Sequence, residues 1–147
     1  MPHSLTKIWI HGVFGTKDSL PLIRKDFDEQ LYQHIKEELE KELDCKVRSI
    51  NGIENHLHVL FLLSPTYSIG DIFKNVKGES SHWCNQMNFT NEKFAWQIGY
   101  GAFSVSESMV KQVEEYIKNQ KEHHKKISYA EEVELFIKKY GLVMVSR

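Results

Sequence analysis

The segment ENHLHVLFLL, Glu54–Leu63, puts two histidines at the head of a run that is otherwise almost entirely apolar. The run predicts a β-strand, nearly all apolar and therefore central in its sheet. Successive side chains of a strand point to opposite faces, so His56, His58 and Leu60 share one face of the sheet. Both imidazoles therefore point the same way.

Further elements can be recognised on both sides of this strand from the spacing of apolar residues. Alternation with a period of two predicts strands, and recurrence every three to four residues predicts amphipathic helices. The predicted strands cover residues 5–14, 45–53, 56–63 and 92–106. The predicted helices cover residues 22–43, 69–83, 106–126 and 128–140. This order predicts an α+β fold of the ferredoxin-like (RRM-like) split βαβ type, an antiparallel sheet with helices on one face plus C-terminal helices.

Local signals refine three of these elements. Ser68 is placed to cap the second helix, and Ser128 with Glu131 forms a capping-box pattern at the start of the last one. Gly99 and Gly101 weaken the fourth strand. We expect residues 1–147 to form a single domain.

The composition is that of an ordinary globular protein. Hydrophobic residues make up 41% and charged residues 27%, and no apolar run approaches the roughly 18 residues that span a bilayer. The N-terminus lacks the order of a signal peptide, and Cys45 and Cys84 form neither a CxxC pair nor a disulfide framework. We therefore expect a cytoplasmic protein with no membrane partner.

The charge balance offers no overall attraction for nucleic acid. Lysine and arginine total 19 against 20 acidic residues, a net charge of −1. A site for a polyanion must therefore be local, and the densest basic run comprises Lys118, Lys121, Lys125 and Lys126. A run of this kind is equally typical of a solvated helix face.

The histidine pair can bind a divalent cation, but two ligands are too few for a closed structural zinc site. Taken alone, the pair is as well explained by two partly buried, hydrogen-bonded side chains. In the predicted third helix, Tyr116 and Gln120 lie one turn apart beside the apolar stripe. A tyrosine in this position is, taken singly, typical of simple packing.

Three motifs together resemble a known family. HLH (56–58), WQIGYGAFSVS (96–106) and YIKNQKEHHKK (116–126) are similar, in order and spacing, to motifs of the single-tyrosine HUH transposases of the insertion-sequence 200/605 family, the IS200-like transposases, in which U is a hydrophobic residue. The similarity runs from near Leu5 to near Tyr140. The resemblance implies that His56 and His58 are metal ligands, that Tyr116 is the nucleophile and that Gln120 is the third protein ligand through its side-chain oxygen.

The same resemblance implies the cofactor and the partners. The family uses Mg²⁺ or Mn²⁺, acts on single-stranded DNA folded into hairpins, and works as a homodimer in which the tyrosine helix of one subunit can complete the site of the other. Cleavage forms a covalent 5′-phosphotyrosine. Imidazole nitrogen favours Mn²⁺ for affinity, whereas cellular supply favours Mg²⁺, and Zn²⁺ is also expected to bind.

The chemistry implied is physically consistent. A phenol with a pKa near 10 is a poor nucleophile at neutral pH and needs a cation that polarises the scissile phosphate. Because one phosphoester bond is exchanged for another, rejoining needs no ATP.

DNA contacts are a further expectation. The candidate phosphate contacts are Lys77, Lys118, Lys121, Lys125 and Lys126. Trp96, Tyr100 or Phe103 could stack on bases. For Trp96 and Phe103 we favour a place in the strand core.

Two features depart from the family pattern, and two other functions stay open. Members often carry Asp before the first histidine, where this chain has Asn55, and the net charge is nearly neutral. The main alternative is a non-enzymatic single-stranded nucleic-acid binding module, or a domesticated, inactive transposase relative. A metal-dependent hydrolase ranks third, because no third histidine or carboxylate lies near residues 60–68.

Overall fold

The computed structural model describes residues 5–140, and of Tyr140 only the backbone. Its sheet is fully antiparallel in the order β2-β3-β1-β4, and the strands are β1 (Trp9–Gly15), β2 (Lys46–Ile53), β3 (His56–Leu62) and β4 (Gly101–Val105). The α-helices are α1 (Asp28–Glu37), α2 (Ile69–Met87), α3 (Val110–Lys118), α4 (Gln120–His123) and α5 (Tyr129–Tyr140). The predicted α+β fold is confirmed. That residues 1–147 form one domain stays a prediction, because it reaches beyond the described residues.

Strand β3 is central, as its apolar sequence predicts. It pairs with β2 on one side and with β1 on the other. Leu57, Val59 and Phe61 are buried in the larger core, whereas Leu60 is buried in a smaller one on the opposite face with Ile117. Because both faces are covered, the alternation of side chains is fixed, and a slip by one residue would move every side chain to the wrong face.

The larger core lies between the sheet and helices α1 and α2. It includes Leu31 and Ile35 of α1 and Phe73 and Val76 of α2. As predicted, Ser68 caps α2, since its hydroxyl oxygen accepts a hydrogen bond from the Asp71 amide at 3.1 Å.

The predicted first helix begins too early. Residues 22–43 keep helical spacing, but α1 starts only at Asp28 and is followed by a π-helical turn, Glu38–Glu42. The Ile23 amide instead donates to the Glu54 carbonyl at 2.9 Å, and the Leu22 and Ile23 side chains fill the core from a non-helical segment. Tertiary burial thus outweighs local helix propensity here.

The fourth strand and the third helix are shorter than predicted. Of residues 92–106, only Gly101–Val105 forms a strand, and Trp96 makes a single bridge to Thr16. Gly99 has a φ of 94°, a left-handed conformation that ends the extended segment. The predicted helix 106–126 begins as a 3₁₀ turn, Glu107–Met109, and is interrupted at Asn119 between α3 and α4.

Helices α3, α4 and α5 cover the face of the sheet opposite to α1 and α2. The capping box of α5 is formed as predicted: the Ser128 amide donates to the Glu131 carboxylate at 3.1 Å, and the Glu131 amide donates to the Ser128 hydroxyl at 3.2 Å. No helix among residues 5–140 combines the length and apolarity needed to cross a membrane.

Gly52 on β2 is required by a close approach of the chain. A Cβ there would lie 2.2 Å from the His56 carbonyl oxygen and 2.7 Å from the Leu57 Cα, atoms that cannot move without shifting β3. We expect Gly52→Ala to lower the free energy of unfolding by about 2–3 kcal/mol in urea denaturation. Gly78→Ala is the matched control, because nothing lies within 4 Å of its Cβ position in α2 and alanine there adds helix propensity. If the two variants were equally stable, the close approach of β3 to Gly52 would be contradicted.

Candidate active site

The two histidines of β3 lie in the interior beneath the last helices, and neither is exposed to solvent. His56 Nδ1 is 2.9 Å from Asn55 Oδ1, and His58 Nδ1 is 2.8 Å from His11 Nε2 on the neighbouring strand β1. The amide oxygen of Asn55 can only accept, so His56 Nδ1 carries the proton and its Nε2 keeps a lone pair. Asn55 thus orients the ring in place of the Asp that the family often carries.

A buried carboxylate from α5 joins this pair. Glu132 is only 1% exposed, and its Oε1 lies 3.2 Å from His56 Nε2, 3.0 Å from His58 Nε2 and 3.2 Å from His124 Nε2. Three imidazoles from a strand and a short helix therefore surround one carboxylate oxygen.

The other carboxylate oxygen receives the tyrosine and the glutamine. The Tyr116 hydroxyl donates to Glu132 Oε2, and Gln120 Nε2 donates to the same oxygen at 3.2 Å. Gln120 is fully buried, and its Oε1 has no hydrogen-bond partner among the described residues. The chain thus brings together all four of the residues that the resemblance selects: His56, His58, Tyr116 and Gln120.

Burial sets the protonation states of these groups. It lowers the pKa of His56 to about 4 and that of His11 to about 3, and it also lowers the pKa of His58. Burial would raise the pKa of Glu132, but its interactions with the imidazoles of His124, His56 and His58 outweigh burial and hold that pKa well below its usual range. At neutral pH His56 and His58 are therefore neutral and Glu132 is ionised, the states in which these side chains bind metals.

The cluster has the composition of a metal site. The ligand atoms of His56, His58, His124 and Glu132 all lie within 4.8 Å of one another, so these residues could hold a metal ion. Two buried donors, His56 Nε2 and His124 Nε2, have no hydrogen-bond partner among the described residues. An ion at this position would satisfy both of them.

Sequence reasoning missed His11, His124 and Glu132 as site residues. His124 falls on the apolar stripe of the third predicted helix, and Glu132 follows the capping residue Glu131. Neither position forms a local motif with the HLH strand. The further candidate ligands, absent from residues 60–68, are His124, directly after α4, and Glu132 of α5.

The five candidate DNA-contacting lysines lie in different surroundings. Lys77 Nζ donates to the Gln97 and Gly99 carbonyls at 2.6 and 2.7 Å, and Lys121 Nζ donates to the Asn51 side chain at 2.9 Å. The other three, Lys118, Lys125 and Lys126, are exposed on or just after the helices that carry Tyr116 and Gln120.

The candidate base-stacking aromatics are mostly engaged within the protein. Trp96 is buried and donates from Nε1 to the Ser80 hydroxyl at 2.9 Å. Phe103 packs against His11 of the site, and Tyr100 stacks on Phe73 while staying 43% exposed. The core placement favoured for Trp96 agrees with this burial.

The buried histidines predict a loss of stability in acid. His11 and His56 bind protons in the unfolded chain near pH 6.5 but in the folded protein only near pH 3 and pH 4, so their contribution is present above pH 6.5 and is lost as the pH falls. We expect the free energy of unfolding of the metal-free protein to fall by about 3 kcal/mol or more from pH 7 to pH 4. Urea titrations with a chelator present measure this change, and the exposed His82→Gln variant should show the same loss. A free energy of unfolding that does not change between pH 7 and pH 4 would contradict the burial of these histidines.

Comparisons with known proteins agree with this fold and show the family. The structure is similar to the crystal structure of a protein assigned as a transposase, from Deinococcus radiodurans R1, with a TM-score of 0.62 and 20% identity over 80% of this chain and 93% of that one. It is also similar to a REP-associated tyrosine transposase bound to a REP hairpin, with a TM-score of 0.61 and 13% identity over 84% of this chain and 74% of that one. No curated protein sequence matches the chain significantly. The family model described as "Transposase IS200 like" matches residues 4–120, well over half of the sequence, and the chain therefore belongs to the IS200-like transposase family.

Proposed function

We propose that the protein cleaves and rejoins single-stranded DNA at hairpin-marked ends through a covalent 5′-phosphotyrosine on Tyr116, with a divalent metal bound beside it. One observation carries the proposal: the Tyr116 hydroxyl and the imidazoles of His56 and His58 converge on the same carboxylate, Glu132. Strand transfer through a covalent intermediate requires a nucleophile close to the metal that polarises the phosphate, and this convergence supports that role.

His56, His58 and Gln120 are the proposed protein ligands of Mg²⁺ or Mn²⁺. Their chemistry fits, because burial keeps both imidazoles neutral and Gln120 Oε1 is a buried acceptor without a hydrogen bond among the described residues. When bound, a divalent cation would polarise the scissile phosphate and offset the charge that develops on its oxygens.

Tyr116 is the proposed nucleophile. Its phenolic oxygen forms a bond to phosphorus as the bond to the 3′ oxygen breaks, so the 5′ side of the DNA becomes attached to the protein and a 3′-OH is released. The phenolic proton leaves in this step, and the departing 3′ oxygen gains one. Attack of a 3′-OH on the phosphotyrosine reverses the exchange, so the strand is rejoined without ATP.

Single-stranded DNA hairpins are the proposed substrate. The relative bound to a REP hairpin supports this choice, as does family membership. Lys118, Lys125 and Lys126 are exposed and flank the helices of the site, and Lys118 and Lys125 would exchange their glutamate partners for phosphate oxygens. Lys77 would exchange carbonyl partners, and Lys121 would exchange the Asn51 side chain and the Asp28 carboxylate.

We further propose that the protein works as a homodimer in which each tyrosine acts at its own imidazoles. The dimer is inherited from the family resemblance. The intrachain arrangement is supported by Tyr116 and His58, whose ring centroids are 5.6 Å apart in one chain.

The alternatives predict different products from the same DNA. A non-enzymatic binding module, or an inactive domesticated relative, would bind the hairpin without cutting it. A water-activating hydrolase would cut without attachment, and His124 with Glu132 supplies the further ligands that such an enzyme needs.

Tyr116→Phe is the first test. With a labelled hairpin-bearing single strand and Mn²⁺, we expect the wild-type protein to give an SDS-resistant adduct and Tyr116→Phe to give none, while binding to the strand is retained. The matched control is Tyr67→Phe, a tyrosine outside the cluster that is 38% exposed and should leave the adduct unchanged. Cleavage without an adduct would favour the hydrolase, and an adduct in Tyr116→Phe would assign the nucleophile elsewhere.

Mixing two inactive variants tests the intrachain arrangement. In a dimer of one His56→Ala chain and one Tyr116→Phe chain, the intact tyrosine and the intact histidine pair lie in different chains. Such a dimer therefore has a complete site only if the tyrosine of one chain acts at the imidazoles of the other. We expect no adduct above the background of either variant alone. Light scattering should confirm the dimer at micromolar concentration, and a monomer, or restoration of the adduct on mixing, would overturn the proposal.

A further inference from the structure

His124 and His56 each turn a protonated ring nitrogen toward an oxygen atom of the chain. His124 Nδ1 is 2.8 Å from the Ile127 carbonyl oxygen, which can only accept, so this nitrogen carries the proton. His56 Nδ1 likewise faces an oxygen, that of Asn55, and His58 Nδ1 faces His11 Nε2. Metal-binding histidines characteristically donate from the ring nitrogen that does not bind the ion, because this hydrogen bond fixes the tautomer and the ring orientation.

The other ring nitrogens face a common point. The Nε2 atoms of His56, His58 and His124 lie 3.2, 3.0 and 3.2 Å from Glu132 Oε1. Ligands that bind Zn²⁺ at about 2.0–2.1 Å in a tetrahedron are about 3.3 Å from one another. The three distances are close to this spacing, and all four ligand atoms lie within 4.8 Å of one another, near enough for one ion to reach them.

We propose that His124 and Glu132 join His56, His58 and Gln120 as ligands of a single transition-metal ion, which gives this chain a site of three imidazoles and one carboxylate beside the amide oxygen. The proposal deepens the proposed function, on whose metal site it rests. Both added ligands lie after residue 120, where the match to the family model ends. The C-terminal part of the chain, α4 and α5, thereby becomes part of the metal centre.

Three nitrogen donors also determine which ions bind. Mg²⁺ prefers an all-oxygen shell and keeps several of its waters, whereas Mn²⁺, Co²⁺ and Zn²⁺ accept imidazole. A site that is buried and mostly nitrogen therefore selects transition-metal ions over Mg²⁺.

Metal affinity of the full chain is the main measurement. By calorimetry with Mn²⁺ and Zn²⁺, we expect His124→Ala and Glu132→Gln each to weaken binding by about a hundredfold or more, since even a hydrogen-bond partner of a ligand is worth about 10- to 100-fold. The matched controls are His82→Ala and Glu131→Gln, which change an exposed histidine and the neighbouring exposed glutamate and should leave affinity within about twofold. Circular dichroism of the metal-free variants checks that each one is folded.

X-ray absorption of the zinc-loaded wild-type protein gives a readout that needs no variant. Three imidazoles in the first coordination sphere are expected, and two would overturn the proposal, as would affinity unchanged in both His124→Ala and Glu132→Gln. The result of the Tyr116 adduct assay is independent of the number of imidazoles that bind the metal. Loss of the adduct with three imidazoles intact would remove the strand-transfer function and leave the metal centre standing.

Discussion

The burial of one ionised carboxylate among imidazoles is the constraint on which the site depends. A buried charge without partners is costly, and contacts to both oxygens of Glu132 keep it ionised: Tyr116 and Gln120 donate to Oε2, and His58 Nε2 lies 3.0 Å from Oε1. Its partners come from β3, α3, α4 and the loop that α4 enters, so their positions are coupled through a single group. Removing the carboxylate would take this acceptor away from the buried donors of Tyr116 and Gln120.

The sheet supplies the fixed part of this arrangement. His56 and His58 lie on a central strand that is covered on both faces, and His11 on β1 supports the second of them from the side. A strand with neighbours on both edges cannot shift its register without exposing its apolar residues. The remaining groups come from the C-terminal part of the described chain: His124 lies directly after α4, and Glu132 lies on α5, which also stacks Tyr129 on His56 with ring centroids 3.9 Å apart.

The sequence predicted what local periodicity and a short motif can encode. The alternation in β3 correctly placed both histidines on one face, and the helical repeat placed Tyr116 and Gln120 on the same side of the sheet-covering helix. Predictions from local spacing were wrong where tertiary contacts determine the backbone conformation. At Ile23 the side chain fits a helical repeat, but the amide donates to the Glu54 carbonyl and the segment is not helical. Glu132 could not have been found in this way, because it lies 74 residues from His58 along the chain and is brought there only by the docking of α5.

The number of donors bears on which ion can serve strand transfer. A tetrahedral ion such as Zn²⁺ would be saturated by three imidazoles and a carboxylate and would leave no position for a phosphate oxygen. Mn²⁺ commonly takes six ligands and would accept the same four donors together with an oxygen of the scissile phosphate. In the proposed site, binding strength and catalytic competence therefore favour different ions. Zn²⁺ would bind tightly but leave no position for a DNA phosphate, and the nitrogen-rich set of ligands disfavours Mg²⁺.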